Sequence, residues 1–165
     1  MKTSFVTLAL QTALLSLLAG CGGESSAPSE SATASAEPDA CTLLTAAEIT
    51  EVTGVTPGAA ERANPGLNNC QWPSPGSPVP LVYVGLSYQS VASWDAYRQE
   101  MIENGVGDPD EDGERIDIGR FSHFTPDSAM IQVYTEQNYL IVLRVRGGDR
   151  AQLIELATRA AARVD

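Results

Sequence analysis

Three cysteines, one histidine and a short acidic run are the residues whose types and spacing could do chemistry. Cys21 closes an apolar segment, Leu17-Leu18-Ala19-Gly20-Cys21. In that setting the thiol is an acceptor for a diacylglyceryl group, and small Ala19 and Gly20 let a signal peptidase approach the backbone. The processed Cys21 amine could carry a further acyl chain such as palmitate. Two or three chains anchor stably where one is marginal. Cys41 and Cys70 remain. In an oxidising compartment they are expected to form a disulfide, closing a loop worth about 3 to 4 kcal/mol by chain entropy. Two buried free thiols are the other reading. The chain has no C-x-x-C motif, and two sulfurs without a nearby histidine give zinc too few ligands.

The acidic run is Asp108-Pro109-Asp110-Glu111-Asp112-Gly113-Glu114. The D-x-D-x-D-G spacing is the first half of an EF-hand loop, so Asp108, Asp110, Asp112 and Glu114 are candidate Ca2+ ligands. The bidentate glutamate of such a loop would fall on Gly119, and Pro109 interrupts it. A solvated loop joining helix to strand is the plainer reading. His123 beside Ser122 suggests a hydrolase. However, no G-x-S-x-G elbow is present, and neighbours on a strand point to opposite faces. Phe121, His123 and Phe124 form a candidate binding edge, with ordinary core packing as the alternative.

These residues need elements to hold them. Thr45-Ala46-Ala47-Glu48 is a capping box, and Gly54 is a helix stop. Cys70-Gln71-Trp72 begins a strand, and Pro73 to Pro80 cannot pair inside a sheet. Over Leu81 to Tyr88, alternation puts Val82, Val84, Leu86 and Tyr88 on the core side. Ser90 or Ser93 caps a helix ending near Asn104, with Trp94, Tyr97, Met101 and Ile102 as its apolar stripe. Arg115 to Ile118 is a short strand. Ala129–Thr135 and Tyr139–Arg146 form a hairpin, with Tyr139, Ile141, Leu143 and Val145 facing inward. Asp149 caps a last helix that buries Leu153, Leu156, Ala157, Ala160 and Val164. The order predicts an α+β fold: an antiparallel sheet of about five strands with helices mainly on one face.

Residues 1–20 read as a lipoprotein signal peptide, 21–40 as a lipidated tether and 41–165 as one globular domain. The apolar part of the leader is too short to span a membrane. A plain secretory signal or a buried helix are its competing readings. Gly22 to Ala40 has no large apolar residue to offset the entropy of ordering. As a flexible coil it reaches about 24 Å. Past the leader, nine arginines face twenty-one acids. That balance argues against a nucleic-acid partner, which needs clustered cations.

Asp39-Ala40-Cys41-Thr42-Leu43-Leu44-Thr45-Ala46-Ala47-Glu48, followed by Cys70-Gln71-Trp72, resembles the Cys-x-Leu-Leu-Thr-x-x-Glu … Cys-x-Trp signature of small bacterial envelope lipoproteins, the domain of unknown function numbered 3558. Met130 to Val164 is similar to the hairpin and last helix of that family. The resemblance implies a PsbP/Mog1-like α+β sandwich and brings no catalytic residue with it.

The expected function is therefore a lipid-anchored, non-enzymatic binding or accessory module of the cell envelope, engaging a small ligand or an envelope protein. A calcium-dependent form using residues 108–114, or a hydrolase, are the alternatives. Otherwise no cofactor is expected. Gly22 after Cys21 is not the inner-membrane-retaining aspartate, which favours an outer-membrane site if the cell has two membranes.

Overall fold

Six strands carry the architecture: β1 (Asn69–Trp72), β2 (Val82–Tyr88), β3 (Glu114–Ile116), β4 (Phe121–Thr125), β5 (Met130–Tyr134) and β6 (Tyr139–Val145). They form one sheet in the order β1-β2-β6-β5-β4-β3, every neighbouring pair antiparallel. With its helices the fold is α+β. The computed structural model describes residues 37–165. The leader, Cys21 and residues 22–36 of the expected tether lie outside the described residues.

The sixth strand is β4, where the sequence suggests only an edge. Its Ser122 and His123 are adjacent and both buried, so no polar–apolar alternation marks it. Each polar group has found a partner instead. The Ser122 hydroxyl donates to the Ile116 carbonyl at 2.6 Å. Paired this way, a buried polar group no longer carries its desolvation penalty.

Register divides the sheet into two chemically different faces. Val82 opposes Val145, Val84 opposes Leu143 and Leu86 opposes Ile141 on one face. Tyr83 opposes Arg144, Gly85 opposes Val142 and Ser87 opposes Leu140 on the other. The first face holds the main core, beneath α1 (Ala46–Thr53) and α4 (Arg150–Ala161). In α4, Leu153, Leu156, Ala157 and Ala160 are buried. The two alanines let its backbone approach the strands. Tyr88 differs from expectation. It is exposed at the end of β2, where it meets Tyr139 edge-to-face.

A further helix, α2 (Trp94–Glu103), lies on the second face. Ser93 caps it by accepting from the Ala96 amide. Its Trp94 and Tyr97 pack against Tyr134 and Leu140. The helices are thus not confined to one face, because the aromatic stripe finds its apolar partners on the even-numbered residues of β5 and β6. α2 covers only the β4–β5–β6 end.

The start of the body is clamped to the core. Cys41 and Cys70 form a disulfide with Cα atoms 5.0 Å apart. Ala40, the last residue of the expected tether, is fully buried. Its amide donates to Asn68 Oδ1 at 2.9 Å, while Asn68 Nδ2 donates to the Pro38 carbonyl at 2.7 Å.

The capping box of α1 forms as read, with Thr45 and Glu48 satisfying each other's amides. Arg163, just past α4, donates to Glu48 at 2.6 Å and to the Leu43 carbonyl at 2.5 Å. Burial works to raise the Glu48 carboxyl, but the bonds from Arg163 and Thr45 outweigh it and hold the pKa at about 2.

Glu48→Gln is expected to lower stability at neutral pH by about 1 kcal/mol, discounted for solvent screening. A carboxylate held below its unfolded value stabilises above that value and loses the contribution as pH falls. The gap between wild type and variant should therefore shrink below about pH 4.5 and close near pH 2, read by urea denaturation at a series of pH values. Reducing the disulfide should lower unfolding free energy by about 3 kcal/mol, seen as a drop in urea midpoint with dithiothreitol.

Candidate functional site

Beyond α2 the second sheet face is open. A cleft of about 750 Å3 lies there, within the range of small-molecule sites. Its floor comes from central strands: Tyr83 and Gly85 of β2, and Val142 and Arg144 of β6. Period-two alternation puts all four on this face. The walls are loops. Leu67 and Val79 stand on the rim and are 61% and 52% exposed. The turn Asp127–Ser128–Ala129 forms another side. Ala129 holds that turn at φ 43°, in the left-handed region.

Asn68, Asn69, Ser87 and Ser128 add polar groups to the lining. Arg144 reaches the Met130 sulfur at 3.5 Å, a weak acceptor. Arg146 donates to the hydroxyls of Ser74 and Ser77. Asp127 is the carboxylate of the lining.

The residues singled out in the sequence fall elsewhere. Asp108 caps the short helix α3 (Pro109–Asp112) and is bound through both oxygens by Arg98. That bond holds its carboxyl below the usual range. Asp110 pairs with Arg98 and Arg115, and Glu114 with Arg150. Asp108, Asp110 and Glu114 are thus paired with Arg115, which follows the run directly, and with Arg98 of α2 and Arg150 of α4. Among the described residues, no three His, Cys, Asp or Glu side chains converge on a common point.

His123 is 4% exposed. Its Nε2 lies 2.7 Å from the Pro109 carbonyl. A carbonyl only accepts, so that nitrogen carries the proton and donates. The Thr125 hydroxyl faces Nδ1 at 3.4 Å. The ring is covered by Trp94, with centroids 5.4 Å apart, and Trp94 in turn carries the Arg115 guanidinium at 4.6 Å. Ser122 points to the other face, as alternation requires.

Phe121 and His123 share the α2 face, with Phe121 stacked on Tyr134 at 4.4 Å. Phe124 belongs to the main core. The three therefore do not form one exposed edge. They straddle a strand buried on both sides, because α2 covers what would otherwise be an open face.

The cleft residues carried one signal in the sequence, a glycine amid an alternating strand. Placing Gly85 beside Val142 and Arg144 needs the β2–β6 pairing, which local pattern does not specify. No family model, curated protein or solved structure matches the chain.

Gly113 joins α3 to β3 in extended backbone. A Cβ there would overlap the Phe124 carbonyl oxygen and the His123 ring. Gly113→Ala is expected to cost about 1 to 3 kcal/mol, measured by thermal or urea unfolding, and to perturb the His123 ring resonances in NMR.

Proposed function

We propose that this protein is a lipid-anchored module of the bacterial cell envelope that binds a small ligand and does no chemistry on it. The observation that carries this reading is the cleft over Gly85. It is an apolar-rimmed concavity on the half of the sheet face that α2 leaves uncovered. Its floor belongs to the rigid central strands, and its walls are loops. That division of labour suits recognition, since loops carry specificity and the scaffold holds them.

The remaining support is about compartment. A disulfide clamp at the start of the body suits an oxidising environment. The Leu17-to-Cys21 segment and the Cys41-to-Glu48 likeness to the 3558 family point to the same place. His123, the sole histidine, is held within the fold by its own bonds, which gives a hydrolase reading no exposed base.

Mass spectrometry of protein from its native membrane fraction tests both halves. The expected species begins at an acylated Cys21 and, sprayed under native conditions, carries a non-covalent adduct that leaves on unfolding. An unprocessed chain with a free Cys21 thiol overturns the anchor. A body that stays adduct-free after incubation with envelope extract overturns the ligand.

A further inference from the structure

Resting on that reading of the cleft, we propose that its ligand is an organic anion with an apolar body, and that the Arg144 guanidinium receives the carboxylate. Gly85 is the first reason. It sits within β2, paired to Asn69 of β1 on one side and to Val142 of β6 on the other. A glycine there weakens a strand. The backbone does not demand it, because Gly85 is not among the residues with positive φ. Packing does not demand it either. A Cβ would meet only the Tyr83 ring, at 3.4 Å. At Gly119, by contrast, a Cβ would come within 2.7 Å of the Tyr134 carbonyl oxygen. What the missing side chain at Gly85 does is let the Tyr83 phenol lie over the strand, so that this ring becomes the cleft floor. A strand glycine of this kind marks the close approach of another group.

Charge is the second reason. Six arginines, at positions 62, 98, 115, 150, 159 and 163, lie within ion-pair distance of carboxylates. Arg120 is taken up by the Val91 carbonyl and Asn138. Arg144 and Arg146 are left, and both line the cleft without a carboxylate partner among the described residues. Asp127 is the one carboxylate of the lining, so the cleft is net cationic in a chain of net charge −11. With acids outnumbering cations about two to one, an uncommitted guanidinium beside apolar surface is a ready counter-ion for a carboxylate, which it can bind through two parallel N–H donors.

The apolar surface is the third reason. Leu67 and Val79 on the rim, with the Tyr83 ring and Val142 below, would hold a chain or a flat ring beside that charge. A single acyl chain from the membrane and a water-borne aromatic acid share this chemistry, and the experiment separates them.

The mature chain carrying Cys21→Ser, with its disulfide intact, is titrated in a calorimeter with octanoate, octanol, naphthoate and naphthylmethanol. At least one anion should bind about tenfold or more tightly than its own alcohol, the scale of one charge-assisted bond. Octanoate as the binder supports an acyl chain, naphthoate a ring. Arg144→Gln should erase the preference for the anion. Gly85→Val should displace the Tyr83 ring from the floor and abolish binding, while the domain still unfolds cooperatively, since valine suits a strand. Equal binding of acid and alcohol, or no effect of Arg144→Gln, overturns the anion assignment, and the cleft survives as a site if Gly85→Val still blocks. Binding that ignores Gly85→Val overturns the location. No heat from either anion overturns the inference, while the native adduct measurement separately decides whether the cleft binds anything.

Discussion

The pleat of β6 is the constraint on which the rest of the structure depends. Tyr139, Ile141, Leu143 and Val145 turn toward α4, and Leu140, Val142 and Arg144 turn away. Because β6 lies between β2 and β5, its alternation is passed to both neighbours through register. A slip of one residue would put Arg144 into the main core and Leu143 into the cleft. The apolar odd-numbered set makes that slip prohibitively costly, since each fully buried Leu, Ile or Val is worth about 1.5 to 3 kcal/mol. The same energy that builds the core therefore fixes where Arg144 points.

Along the second face, chemistry changes in steps. Leu140 lies beneath α2 with Tyr134 and Tyr97. Val142 borders both α2 and the cleft. Arg144 stands in the cleft itself. The aromatic cluster at one end is closely knit, with Tyr97 donating to Gln132 at 2.9 Å and Phe121 stacked on Tyr134. Burial raises the Tyr97 hydroxyl above its usual range. A helix over one end and open floor at the other is what turns a flat sheet face into a concave one.

The arginines divide along the same line. Around the core face they act as clasps. Arg163 ties the end of α4 to Leu43 and Glu48, and Arg159 ties α4 to Glu51 at 2.8 Å. Around α3 they pair with Asp108, Asp110 and Glu114 of the acidic run. The EF-hand-like spacing thus falls on a capped helix turn, with Asp108, Asp110 and Glu114 facing arginines. The D-x-D-x-D-G spacing does not contain these partners, because Arg98 lies on α2, Arg115 just past the run and Arg150 on α4, 36 residues from Glu114.

Local signals were enough for α1, β2, the β5–β6 hairpin and α4. Each is marked by a cap or by strict periodicity, and each rests on contacts a few residues apart. The pairing of Cys41 with Cys70 was legible too, since no other partners remain once Cys21 is set aside. β4 was not legible as a strand, because Ser122 and His123 are tolerated in the interior only through bonds to Ile116 and Pro109, and those partners arrive by tertiary folding. The face chosen by α2 and the exposure of Tyr88 were hidden for the same reason. The sequence by itself determined most of the elements, the inward face of β6 and the α+β class, because these follow from periodicity and capping. Only the tertiary structure decided the strand order, the cleft over Gly85 and the company of Arg144, because antiparallel pairing joins residues some sixty positions apart and no local pattern encodes which strands will meet.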